Sequence, residues 1–182
     1  MRLFIAVNIP VEIKENLSLL TKRLKYKISD VKWIQKENLH LTLKFLGEVR
    51  EEKVEKICSN LCDIAKTIKP FNVSFSEIGA FPDLKFPRII WAGVKEGSNE
   101  LKKLAWEIEQ ALVPLGFEKE KRAFSAHLTI GRVKSFKVRD ISFENIDTNF
   151  GSFVLERIDL MQSFLDRPRP EYKCLESFNF GG

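Results

Sequence analysis

The chain has 182 residues, 44% of them hydrophobic, with 15 Phe and a formal charge of +5. That supports one large domain or two small lobes around a shared core. No run approaches the roughly 20 apolar residues of a membrane-spanning helix. Three cysteines are a sparse, odd set. They exclude a disulfide framework and point to reduced thiols and a cytoplasmic setting. The positive balance favours anionic partners, nucleic acid foremost, although lysines on solvated helix faces produce the same charge.

RLFIAVNI (2–9) predicts a buried first strand. It is not a signal peptide, because the apolar run is short, Pro10 breaks it and acids follow. Pro10 suits a first helical turn. Ile13, Leu17, Leu20 and Leu24 then recur at helical spacing. VKWIQKENLHLTLKFLGEV (31–49) predicts two strand pieces around Gln35–Asn38. A second helix is predicted over 51–69, with Val54, Ile57, Leu61, Ile64 or Ala65, and Ile68 inward and Pro70 as its stop. Cys58 and Cys62 lie one turn apart on it, as small apolar fillers rather than metal ligands. Strands are expected at 71–81 and 87–94. Gly97-Ser98-Asn99 then caps a third helix carrying Leu101, Leu104, Ala105, Ile108 and Leu112 inward. FEKEKRAFSAHLTIGRV (117–133) reads as a polar turn and a strand, with Lys119-Glu120-Lys121-Arg122 solvated. FVLERIDLMQSFL (153–165) and EYKCLESFNF (171–180) predict a closing strand pair joined by the Pro-rich turn Asp166–Pro170.

The chain's two histidines, His40 and His127, each open an H-L-T-[LI] tetrapeptide. Each lies at nearly the same distance after a first strand and helix, so strand, helix, histidine strand occurs twice, over about 1–50 and 87–135. Side chains alternate along a strand. Leu39, Leu41, Leu43 and Phe45 are therefore expected on one face, and His40, Thr42 and Lys44 on the other. Likewise Ser125, His127 and Thr129 share a face opposite Ala126, Leu128 and Ile130. The leucines anchor each strand, and the spacing of two aims imidazole and hydroxyl at one target. An imidazole exchanges protons near neutral pH. Two of them divide the roles of general acid and base, and threonine hydroxyls donate to oxygens where negative charge builds. Across a pseudo-twofold axis, such a pair suits in-line displacement at phosphorus.

These paired motifs resemble the two-histidine phosphoesterase superfamily, and within it the RNA 2′,3′-cyclic phosphodiesterases, also called 2′-5′ RNA ligases. The similarity runs through RLFIAV (2–7), Trp33, NLHLTLKFLGEV (38–49), Phe81-Pro82, Pro87-Arg88, Trp91 and AHLTIGRV (126–133), then Ser163, Leu165, Tyr172, Leu175 and Phe178. Two departures stand beside it: prolines where a glycine-containing turn is expected between Leu165 and Tyr172, and little helical character after Val133. The resemblance implies one α+β domain over 1–182, bilobal. Its two pseudo-twofold related antiparallel sheets carry helices outside and a central cleft between them. It implies metal-independent, cofactor-free hydrolysis of RNA 2′,3′-cyclic phosphate ends to 2′-phosphomonoesters. His40 is then the proton donor, His127 the proton acceptor, and Thr42 and Thr129 bind phosphate. A monomer is expected.

Arg132 is a further phosphate candidate, but strand parity sets it out of phase with His127 and Thr129, so it needs a bulge or strand end to reach the cleft. Lys44 shares the parity of His40 and is read as a rim lysine. Trp33, Phe81, Trp91 and Tyr172 are candidates to stack a base or to pack the core. Two distant histidines without HExxH or CxxC disfavour hydrolytic zinc, and no GxSxG, phosphate loop or dinucleotide fingerprint is present. Ligation in the 2′-5′ direction, and non-catalytic binding of RNA ends, are the alternative functions.

Overall fold

The computed structural model describes residues 1–144, 146–164 and 170–181. Leu165 and all but the last residue of the turn Asp166–Pro170 lie outside the described residues. The first sheet is built from β1 (Arg2–Asn8), β3 (His40–Glu48), β8 (Arg157–Phe164) and β9 (Glu171–Asn179), in the order β3-β1-β8-β9. The second holds β2 (Val31–Trp33), β4 (Phe71–Phe81), β5 (Ile89–Val94), β6 (His127–Val133) and β7 (Gly151–Leu155), ordered β2-β6-β5-β4-β7. Every pairing is antiparallel. No helix is long and apolar enough to cross a membrane among the described residues.

The three helices are α1 (Val11–Lys27), α2 (Val54–Thr67) and α3 (Ser98–Leu112). Their apolar stripes are those the spacing predicts: Ile13, Leu17, Leu20 and Leu24 on α1, Ile57, Leu61 and Ala65 on α2, Leu101, Leu104, Ala105, Ile108 and Leu112 on α3. Cys58 and Cys62 pack half-buried beside that stripe, as filler. Two of the helices cross over. α1 follows a strand of the first sheet but packs on β2 and β7 of the second, whereas α3 follows β5 of the second sheet and packs on β3 of the first. α2, between them in the chain, stays with the first sheet and packs on β8 and β9. The strands β3 and β6 meet where the sheets adjoin.

Three details depart from the sequence pattern. The tail segment 153–165 is not one strand. It breaks at Glu156, so that β7 pairs with β4 while β8 pairs with β1 and β9. The residues 51–53 form a 3₁₀ turn ahead of α2. Lys44 is the third, and it is not a rim lysine. The β1–β3 register shifts between Ile5 and Ala6, leaving Leu43 as an extra residue. A bulge of this kind reverses the alternation beyond it. Lys44 therefore turns inward and is only 4% exposed, while Phe45 turns out and is 61% exposed.

Buried Lys44 has two oxygen partners. Its Nζ pairs with Glu109 Oε1 at 3.2 Å and donates to the Glu118 carbonyl at 3.0 Å. Glu109 Oε1 also accepts the Glu120 backbone N–H at 2.6 Å. These bonds pin the loop after α3 to the outer end of β3. A buried ion pair broken on one side leaves an uncompensated charge, at a cost of about 3–5 kcal/mol when fully buried. Glu109 retains some solvent contact, so Lys44→Ala is expected to lower stability by about 2–3 kcal/mol in urea unfolding.

Candidate active site

On β1, Leu3, Ile5 and Val7 join the apolar core, which leaves Phe4 and Ala6 on the opposite face. Register sets Ala6 against Thr42 and Asn8 against His40. Phe4, Phe45, His40 and Thr42 thus share one face of the first sheet. Tyr172, at the start of β9, comes edge-on to the His40 ring at 5.0 Å, and Phe4 lies 4.9 Å from it. The Asn38 side chain donates to the Pro170 carbonyl at 2.8 Å, which ties β9's entry to the same corner.

The second sheet repeats this around His127. Register sets Gly93 against His127 and Trp91 against Thr129. Trp91 lies across Gly79, where a Cβ would collide with the indole. Phe81 packs on Trp91 at 5.3 Å and meets the His127 ring edge-on at 5.0 Å. Of the aromatic candidates, Phe81, Trp91 and Tyr172 are therefore grouped with the histidines. Trp33 is not: it covers Gly131 and packs against the core. Arg132 reaches the histidine face because β6 carries a bulge. The β5–β6 register shifts between Ile90 and Trp91, leaving Ile130 extra, so the parity reverses before Arg132.

Both imidazoles are held in the same way. The Nδ1–H of His40 donates to the Asn38 carbonyl at 2.7 Å, and that of His127 to the Ser125 carbonyl, also at 2.7 Å. A carbonyl only accepts, so each neutral ring carries its proton on Nδ1, and Nε2 has no partner among the described residues. Burial pushes the His40 ring down from 6.5 to about 4, partly opposed by its bond to Asn38; Lys14 and Arg132 push further down. His127 is lowered for the same first reason, again against its backbone bond and with Arg132 adding. One guanidinium thus acts on both rings. The Thr42 and Thr129 hydroxyls form no hydrogen bond to protein among the described residues. No three His, Cys, Asp or Glu side chains converge there in a metal-binding cluster among the described residues.

A family model described as LigT like Phosphoesterase matches residues 7–91 and 93–172. The chain belongs to the LigT-like phosphoesterase family. A relative from Archaeoglobus fulgidus named RNA 2′,3′-cyclic phosphodiesterase is 43% identical over 180 residues, covering 98% of this chain and 99% of its own. A Methanocaldococcus jannaschii protein of the same name is 38% identical, covering 98% and 100%. Among solved structures, one from Thermus thermophilus superposes with a TM-score of 0.84 at 25% identity, covering 100% of this chain and 99% of that one. Escherichia coli LigT complexed with 3′-AMP gives a TM-score of 0.78 at 27% identity, covering 100% and 98%. The LigT-like fold is thus shared along the entire chain.

Pattern reading missed Phe4 and Lys14. Phe4 looked like any core residue of a buried strand, and Lys14 like any solvated helix lysine. The carbonyls of Asn38 and Ser125 carry no side-chain signal at all.

Depressed histidine pKa values make stability pH-dependent. Between pH 6.5 and 4 the folded protein binds fewer protons at His40 than the unfolded chain does. The contribution of this neutral ring is therefore complete above pH 6.5 and falls as the pH drops toward 4. It is bounded by about 3 kcal/mol. Urea unfolding of His40→Asn is expected to show a shallower loss of stability than wild type across that range.

Proposed function

We propose that this protein hydrolyses RNA 2′,3′-cyclic phosphate ends to 2′-phosphomonoesters by paired-histidine acid–base catalysis. The observation that carries it is the matched pair of imidazoles, each with Nδ1 engaged by backbone and Nε2 free. The names of the full-length relatives supply the substrate class. In this reading His127 Nε2 takes a proton from water, which attacks phosphorus. The bond to the 3′ oxygen breaks, and His40 Nε2 gives that oxygen its proton. Thr42, Thr129 and Arg132 hold the non-bridging oxygens, whose charge is greatest in the transition state.

The order of the two histidines follows the family resemblance, and the electrostatics add a condition to it. Burial holds His40 down to about 4 in the free protein, so it becomes an acid only with an anion beside it. A bound phosphodiester supplies that anion and raises both rings. Both histidines come from one chain and no step needs a second copy, which favours a monomer. A reduced, cytoplasmic setting fits the three free thiols. Water is in vast excess over RNA hydroxyls, so hydrolysis prevails over the reverse 2′-5′ ligation.

His40→Ala and His127→Ala are each expected to lower kcat on a cyclic-phosphate oligonucleotide by about 10²–10⁴-fold, with chelator present. Phosphorus NMR of the wild-type product is expected to show only the 2′-monoester. Full turnover in either variant would exclude the mechanism. The bell-shaped profile of kcat is expected at higher pH than that of kcat/KM, because the bound anion raises both rings.

A further inference from the structure

The turn at 119–122 and the exposed Phe45 are not used by the chemistry above, yet they face one another. A groove of about 680 Å³ runs between the outer end of β3, from Phe45 to Arg50, and the loop from Gly116 to Arg122. Its two walls lead to the two histidines. Along β3, Phe45 lies five residues beyond His40, a span of about 16 Å. Along the other wall, the four residues after Arg122 lead into the strand that His127 opens.

The link to the His40 side is continuous. The ring of His40 meets Phe4 at 4.9 Å, and Phe4 meets Phe45 at 6.2 Å. Phe45 then stands 61% exposed at the groove, an unusual place for a large apolar ring on a strand. The opposite wall offers Lys119, Lys121 and Arg122, all exposed. Lys121 and Arg122 form no ion pair among the described residues. Three acids, Glu48, Glu118 and Glu120, also line the groove, and Glu48 sits 3.7 Å from the N-terminal ammonium. The loop is not slack: its backbone is pinned through Lys44 and Glu109, and Lys53 Nζ donates to the Leu115 carbonyl at 2.9 Å.

A basic wall facing an exposed ring is the pattern that binds single-stranded nucleic acid: cations track the backbone and the ring stacks a base. We propose that this groove carries the RNA strand upstream of the reacting phosphate, with Phe45 stacking a base and Lys121 and Arg122 neutralising phosphates. The inference rests on the reading of the cleft as an RNA-end site, and it adds that the enzyme prefers an oligonucleotide to a nucleoside cyclic phosphate. A second basic and aromatic surface exists near the far end of β6, where Arg88 lies 3.7 Å from the Phe136 ring and Arg139 5.2 Å from that of Phe86. Its cations already cover its rings, which makes it the weaker candidate.

The test compares kcat/KM for a nucleoside 2′,3′-cyclic phosphate with that for an oligonucleotide ending in the same group. Wild type is expected to favour the oligonucleotide. Phe45→Ala should cut that preference about tenfold, and Phe45→Tyr should restore it. The pair Lys121→Glu with Arg122→Glu should cut it at least as much, and should flatten the salt dependence by about 1.4 units of slope. The matched reversal Lys22→Glu, on the exposed side of α1, should leave the preference intact. Equal wild-type kcat/KM for both substrates would overturn the groove while leaving the cleft chemistry standing. So would a preference that responds to Arg139→Glu and not to Lys121 or Arg122. If wild type turns over neither substrate, anisotropy with a labelled single-stranded oligonucleotide decides the groove alone. Binding that weakens in the loop variants supports it, and binding that ignores them refutes it.

Discussion

Two short hydrogen bonds set the two histidines: each imidazole gives its Nδ1 proton to the carbonyl two residues before it. The acceptor is backbone, so the ring's tautomer and tilt follow from the path of the strand's entry rather than from a carboxylate partner. Among the described residues no carboxylate pairs with either ring, and burial lowers both. In the proposed reaction a ring lowered in this way accepts a proton at rest and becomes a donor only once an anion is bound beside it.

The next constraint is the bulge, and it occurs at matching places. Leu43 in β3 and Ile130 in β6 are each the third residue after a histidine and each is extra in its ladder. Beyond them the alternation reverses, so the fifth residue after each histidine returns to the histidine's face. In one half that residue is Arg132, whose charge reaches both rings. In the other it is Phe45, exposed at the mouth of the groove. The fourth residue diverges too. Lys44 is driven inward and tied to Glu109, while Gly131 leaves room for Val31 and Trp33. Equivalent backbone positions thus carry a charge in one half and an exposed aromatic ring in the other.

Much of this was legible in the sequence, and the rest was hidden for specific reasons. The helical stripes and the histidine–threonine spacing depend on local periodicity, which is written residue by residue. The grouping of the strands into two antiparallel sheets came from the family resemblance, since periodicity marks the elements and not their partners. Simple parity succeeded as far as Thr42 and Thr129 and failed immediately after. A bulge is a property of a strand pair, set by how β1 sits on β3 and β5 on β6, and a single strand's letters do not carry it. Lys44 and Phe45 were consequently assigned to each other's faces, and Arg132 needed a bulge that only the ladder reveals. The tail failed in another way. FVLERIDLMQSFL reads as one apolar run, yet its two ends belong to different sheets and the change at Glu156 has no local marker.

Whether the two rings share one anion is read by nitrogen-15 NMR of the imidazoles during titration with a nucleoside 2′-monophosphate. Nε2 of His40 and of His127 are expected to shift together, with one dissociation constant and a stoichiometry of one, while both Nδ1 signals keep their proton. Rings that respond at different ligand concentrations, or only one ring responding, would contradict a shared anion.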